Sequence, residues 1–259
     1  MTEAVIVADN ATKVFLDGAV TAFRDLRLAV DERETLCIVG PSGCGKTTFL
    51  RCVAGLIELT SGSLLVHGSP VRGVSEGVAL VFQHFGLLPW KTVYQNAAFG
   101  LAMAGAPHKT IRERVDYYLD LVGLRGFERH YPYQLSGGMQ QRVGLVRALA
   151  TNPSILLLDE PFAALDAQTR EVLQEELLRI MEGERKTMVF VTHSIDEAIL
   201  LGDRVAVLSA RPGRVREIVE VPFPRPRQME GLAVRADPRF AELREHIWSG
   251  LRPEAVAAV

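Results

Sequence analysis

Apolar residues fall first in strand-length runs broken by glycine, and later at the three- and four-residue spacing of helices. Residues 4–8, 13–15 and 26–30 are β-rich, with Asp17-Gly18 as a turn signal, and predict a small antiparallel layer. Residues 34–39 form an apolar run of strand type, and 48–54 read as helix. Residues 62–68 and 77–82 are strand-like, with glycine at their ends. From 92 to about 129 the pattern turns helical, carried by Ile111, Val115, Tyr118, Leu119 and Val122. Residues 135–138 open a further helix. Residues 155–158 are wholly apolar and end in Asp159 and Glu160, the pattern of a parallel strand buried on both faces. A helix carrying Leu173, Leu177 and Ile180 follows, then strands over 187–192 and 204–209 and a basic turn over 211–214. Prolines stand at 222, 224 and 226, before a last helix from about Pro238 to Leu251 with Phe240, Leu243 and Ile247 on one face. Strands alternating with helices predict an α/β fold around a parallel sheet.

Composition narrows this picture. A chain of 259 residues, 48% hydrophobic, suits one α/β domain with subdomains. A formal net charge of −2 provides no global basic field for nucleic acid. Cys37, Cys44 and Cys52 lack C-x-x-C spacing, so a disulfide framework is not expected and a reducing cytosol suits them. The first ten residues carry an early acid and no basic n-region, against a signal peptide. The longest weakly polar run, 97–106, contains two glycines and is too short to span a bilayer, so any membrane role is expected to be peripheral.

The chemistry concentrates between strand and helix. Gly40, Pro41, Ser42, Gly43, Cys44, Gly45, Lys46, Thr47 and Thr48 match G-x-x-x-x-G-K-[ST]. Glycines let successive backbone N–H groups cradle phosphate oxygens at a helix N-terminus. Lys46 reaches β- and γ-phosphates, and the Thr47 hydroxyl suits Mg²⁺. Asp159, at a strand end, suits a Walker-B role on Mg²⁺, and Glu160 suits polarising a water. His193, at the end of another strand, is a candidate for a γ-phosphate contact. Phe15 has a face for a purine, although an aromatic in a strand is more often core. Gln83 follows a strand end, where ligands bind in α/β sheets, but on spacing alone it reads as a cap. Ser136, Gly137 and Gly138 offer a second helix N-terminus for an anion, or simply a turn. Residues 85–90, apolar and aromatic with one proline, are either buried or a docking surface.

Taken together, the phosphate loop, Gln83, Leu135-Ser-Gly-Gly-Met139, Leu156-Leu-Leu-Asp-Glu160, Asp166 and His193 resemble the ATP-binding subunit of an ABC transporter over nearly the whole chain. The resemblance implies a P-loop NTPase (RecA-like) core, an antiparallel β subdomain, an inserted helical subdomain at about 85–150, a cassette over 1–230 and a helical tail over 231–259. It assigns the A-loop aromatic to Phe15, the Q-loop glutamine and a Mg²⁺ contact to Gln83, the catalytic glutamate to Glu160, the D-loop to Asp166 and the switch histidine to His193. It implies ATP, Mg²⁺ and a head-to-tail homodimer, with Ser136, Gly137 and Gly138 closing over the partner's nucleotide. Leu87-Leu-Pro-Trp90, Met139 within the signature and Ala210-Arg-Pro-Gly-Arg214 are similar to the nitrate/sulfonate/taurine importer group. That group implies membrane permease subunits, an extracytoplasmic solute-binding protein and a peripheral place on the cytoplasmic face of the bacterial plasma membrane. Arg33 departs from the family, which has glycine before the residue at Glu34. A soluble ABC ATPase of translation or DNA repair is the competing reading, but this chain has neither a second cassette nor a long coiled coil. A P-loop kinase would leave the Ser136 motif and His193 without a role.

Overall fold

The computed structural model of the chain describes residues 4–84, 86–163, 165–184, 186–225 and 231–252. Phe85, Ala164, the proline at 226 and the expected boundary at 230–231 lie outside or at the edge of those residues. The strands are β1 (Ala4–Phe15), β2 (Val20–Asp31), β3 (Thr35–Val39), β4 (Ser61–Val66), β5 (Ser69–Pro70), β6 (Val78–Val81), β7 (Ile155–Asp159), β8 (Thr187–Val191), β9 (Arg204–Leu208) and β10 (Val215–Glu220). The helices are α1 (Lys46–Val53), α2 (Val93–Ala97), α3 (Phe99–Met103), α4 (His108–Leu121), α5 (Gly137–Ala150), α6 (Ala167–Glu184), α7 (Ile195–Leu201), α8 (Gly231–Ala236) and α9 (Pro238–Leu251).

Among the described residues the strands form an antiparallel sheet, ordered β2-β1-β4-β5, and a six-stranded sheet, ordered β10-β9-β3-β8-β7-β6. In the larger sheet, β6, β7, β8, β3 and β9 are parallel and β10 is an antiparallel edge. Every residue of β3, β7 and β8 is buried, because helices or the second sheet cover both faces. The alternation along β3 divides the core. Leu36 and Ile38 join a cluster with α1 and the antiparallel sheet, whereas Cys37 and Val39 join one with α5, α6, α7 and α9. Because the central strands are parallel, the residues after β3, β6, β7 and β8 emerge along one edge, where α/β sheets bind ligands. That edge carries every strand-end residue singled out above.

Several expectations need correction. The short runs at 4–8 and 13–15 belong to one long strand, β1, which passes Asn10 (φ +49) and shifts register against β2. The helical stretch from 92 is three helices and ends at Leu121, because Gly105, Gly123 and Gly126 take left-handed φ values that helices cannot continue. Of the apolar segment expected at 85–90, the described residues 86–90 do not expose their apolar side chains together. Leu87 packs on the larger core, and Leu88 is clamped by fully buried Asn96, which accepts its N–H at 2.8 Å and donates to its carbonyl at 3.1 Å. Trp90 alone of these is well exposed, at 70%, and does not pack inside the helical layer. Arg33 has φ +64, a conformation that favours glycine, so the arginine at that turn sits in a strained backbone geometry. Its N–H donates to Thr187 Oγ1 at 2.8 Å. The three cysteines are buried and free. No helix among the described residues is long and apolar enough to cross a membrane.

Candidate active site

The phosphate loop leaves β3 and turns into α1 through glycines that nothing larger replaces. Gly45 has φ +95, and a Cβ there would lie 2.8 Å from the Ala22 carbonyl oxygen. A Cβ at Gly40 would lie 2.7 Å from Cys44 Sγ. The loop therefore wraps tightly against β2, with the start of α1 at its mouth. Lys46 is 5% exposed, and its Nζ donates to the Gly40 carbonyl at 2.7 Å and the Pro41 carbonyl at 3.2 Å. The ammonium is thus held inside the ring of amides. Cys44 lies beneath it, and burial pushes its thiol up despite the nearby Lys46 charge.

Two carboxylates stand at the end of β7 and do different things. Asp159 is 4% exposed and accepts the Thr47 hydroxyl at 2.8 Å. Burial pushes its carboxyl above the usual range, opposed by the Thr47 hydrogen bond and by Arg51, Lys46 and His193. Glu160 is in the left-handed region at φ +47, where a side chain is strained, and its N–H is tied to the Val191 carbonyl at 2.9 Å. That turn swings its carboxylate away from Asp159. One oxygen, Oε1, faces His193 Nε2 at 2.5 Å, and the other accepts from Gln83 Nε2 at 3.3 Å. Three strand ends, β6, β7 and β8, therefore converge on one carboxylate.

These side chains open on a cleft of about 430 Å³ lined by Phe15, Ser42, Gly43, Gly45, Lys46, Thr47, Thr48, Gln83, Glu160 and His193, together with Val20, Ala22 and Arg211. Phe15 is half-buried at the end of β1, with Lys13 Nζ 5.0 Å from its ring centroid. Gly40, Pro41, Cys44 and Asp159 do not line the cleft. They hold Lys46, the loop and Thr47 from behind. Arg211 is a lining residue that the sequence patterns did not single out for this role; its place in a basic turn was the available signal. The same turn braces the loop. Gly213 exchanges hydrogen bonds with β2, its N–H to the Ala22 carbonyl and its carbonyl from the Arg24 N–H, each at 3.0 Å.

Ser136, Gly137, Gly138 and Asp166 lie elsewhere. Ser136 caps α5 by accepting the Met139 N–H at 3.3 Å. Asp166 accepts the Thr169 N–H at 3.0 Å and its hydroxyl at 2.7 Å, which holds its carboxyl below the usual range. Gly138 lets α5 approach α6, since a Cβ there would lie 2.5 Å from Thr169 Cγ2. None of the four lines the cleft of its own chain.

With this geometry in hand, comparison with known proteins is specific. The ABC transporter family profile matches residues 23–163. An uncharacterized ABC transporter ATP-binding protein of Methanocaldococcus jannaschii is 49% identical over 253 residues, 97% of this chain and 92% of that one. The chain belongs to the ABC transporter family, as an ATP-binding subunit. The nitrate import ATP-binding protein of Synechococcus elongatus is 46% identical, over 88% of this chain and 83% of that one. The taurine import ATP-binding protein of Shigella boydii is 43% identical, over 90% and 92%. A solved ATP-binding cassette, described as a dimeric post-hydrolysis state bound to ADP and Pi, superposes with a TM-score of 0.75 at 32% identity, over 85% of this chain and all of that one. The fold is that of the P-loop cassettes, and the chain is an ABC ATPase. A chain of this family binds ATP.

Proposed function

We propose that the chain is the ATP-hydrolysing subunit of an ABC importer for a small solute of the nitrate, sulfonate or taurine class. The observation that carries the catalytic part is the convergence of Gln83 and His193 on Glu160 beside the phosphate loop. In this reading the amides of residues 42–48 and Lys46 hold the phosphates, and Phe15 stacks on the base. Glu160 orients the attacking water, and His193 and Gln83 fix its two oxygens and meet the γ-phosphate. The Thr47 hydroxyl and Asp159, two oxygen donors in contact, fit Mg²⁺ held by few protein ligands with phosphate completing the shell; Gln83 adds an amide oxygen. When bound, Mg²⁺ neutralises charge on the phosphate oxygens.

Ser136, Gly137, Gly138 and Asp166 lie outside the lining of their own cleft, which supports a head-to-tail homodimer in which they close over the partner's nucleotide. We place the helical subdomain at about 85–150, the cassette at 1–230 and the tail at 231–259. The exposed Trp90 follows Gln83 closely and supports docking on membrane permease subunits. An extracytoplasmic binding protein would then deliver the solute, with this chain peripheral on the cytoplasmic face. The names and identities of the nitrate and taurine import relatives support the solute class. Glu160→Gln tests the core of this reading: ATP binding survives, and turnover falls by at least ~10²-fold. Near-normal turnover removes Glu160 from the mechanism. Growth of a deletion strain on single nitrogen or sulfur sources tests the solute class.

A further inference from the structure

A buried polar cluster lies behind the cleft, between β8, α6 and α7. Thr192, Gln174 and Glu197 are 3%, 2% and 7% exposed. Glu197 Oε2 accepts the Thr192 hydroxyl in a short hydrogen bond. Its other oxygen accepts from Gln174 Nε2 at 3.2 Å and lies 3.9 Å from Arg170 Nε. Thr192 Oγ1 in turn accepts the Ser194 N–H at 3.0 Å, so both neighbours of His193 are held by one hydroxyl. Arg170 donates from Nη2 to the Leu165 carbonyl at 2.8 Å, the residue before Asp166. From the tail, Arg235 Nη2 donates to Gln174 Oε1 at 3.2 Å. A buried carboxylate is a poor source of net stability, since its desolvation offsets the attraction of its partners. What these bonds define is geometry, in the two loops that carry His193 and Asp166.

We infer that Glu197 is a positioning residue for hydrolysis: through Thr192 it sets the His193 ring against Glu160, and through Arg170 it ties that loop to the segment before Asp166. Glu197 lines no part of the cleft. It acts only through its neighbours, and α8 closes the same network from the tail through Arg235. The inference rests on the reading of Glu160 and His193 as hydrolytic residues.

The test is steady-state ATP hydrolysis by the full chain, below the unfolding temperature of the weakest variant. Glu197→Gln keeps the shape and loses the charge. Thr192→Val removes the hydroxyl, and Thr192→Ser restores it. A misplaced group far from the bond being broken can cost up to ~10²-fold, so Glu197→Gln and Thr192→Val are each expected to lower kcat by about 10-fold or more, with KM for ATP within about two-fold. Thr192→Ser is expected to stay near the wild-type kcat. The double variant Glu197→Gln/Thr192→Val is expected to be no slower than the worse single, because both remove one link. Three results overturn the inference: a folded Glu197→Gln with wild-type kcat, losses that multiply in the double variant, or Thr192→Ser as slow as Thr192→Val. The Thr192 pair decides the matter if Glu197→Gln fails to fold. Glu160→Gln is run alongside. If it hydrolyses ATP normally, the hydrolytic reading itself fails. If it is inactive while Glu197→Gln is unaffected, only the positioning role fails.

Discussion

Gly213→Ala is a perturbation outside the phosphate loop that should nevertheless weaken ATP binding. An added Cβ would lie 2.0 Å from the Cys44 carbonyl oxygen and 3.1 Å from the carbonyl carbon. Ordinary contact needs roughly 3.5 Å, so something must move by more than about 1 Å. Gly213 cannot easily retreat, because its N–H and carbonyl are both bonded to β2. Cys44 sits between Gly43 and Gly45, both at left-handed φ, in the more yielding segment. The phosphate loop should therefore take up the strain. Overpacking of this kind costs about 1–3 kcal/mol. If that cost falls on the nucleotide-binding conformation, ATP affinity drops about 5- to 150-fold. Calorimetric titration with ATP reads the affinity, and thermal unfolding with and without nucleotide reads the stability. Gly183→Ala is the control: it lies in α6, its Cβ meets no atom within 4 Å, and it should gain up to ~1 kcal/mol in stability at unchanged affinity. Wild-type ATP affinity in Gly213→Ala, whatever its unfolding temperature, refutes the argument that this turn braces the loop.

Other outcomes follow from the same geometry. Phe15→Ala should weaken ATP binding by about 5- to 150-fold, the worth of a stacked base, with little loss of folding; unchanged affinity with lowered thermal stability would make Phe15 simply part of the core. Mixed Lys46→Ala and Ser136→Ala chains should form heterodimers with one intact composite site that hydrolyse ATP faster than either homodimer, whereas no rescue in heterodimers shown to form would mean each chain works alone. Trp90→Ala should leave the isolated subunit folded and active but block assembly with the permease and solute uptake, and loss of ATPase activity before any permease is added would refute the docking role. Hydrogen bonds from Arg239 hold the Asp237 carboxyl down to about 2, so its contribution to the α9 cap is complete above the ordinary carboxylate value of roughly 4 and is lost as pH falls towards 2. Any unfolding difference between wild type and Asp237→Ala near neutral pH should therefore shrink below about pH 4 and vanish only below about pH 2, and a difference that persists undiminished through that range would show that the ionised carboxylate is not its source.

Most of the chemistry of this cleft is contiguous in the sequence, and that is why it could be read there. A phosphate loop needs its glycines, lysine and hydroxyl at fixed spacing, because one turn of backbone does the binding. Asp159, Glu160 and His193 were legible for a related reason: buried parallel strands announce themselves as apolar runs, and whatever follows them emerges at one edge. The helix α7 was not singled out, although Ser194 and Glu197 stand at capping spacing, because at seven residues it spans only two turns. Other features depend on contacts between distant segments. The left-handed turn at Glu160 aims its carboxylate at His193 and Gln83 rather than along its own strand. Arg211 and Gly213 reach the loop because β10 folds back beside β9, and Trp90 is left in solvent because Asn96 holds the chain before it. Thr192, Glu197, Gln174 and Arg235 meet only because α6, α7 and α8 pack on the same side of the sheet. Local spacing thus determined which groups this protein gathers around the cleft. Only tertiary packing decided which of them face one another, because hydrogen bonds and close contacts between remote segments leave no periodic trace in the chain.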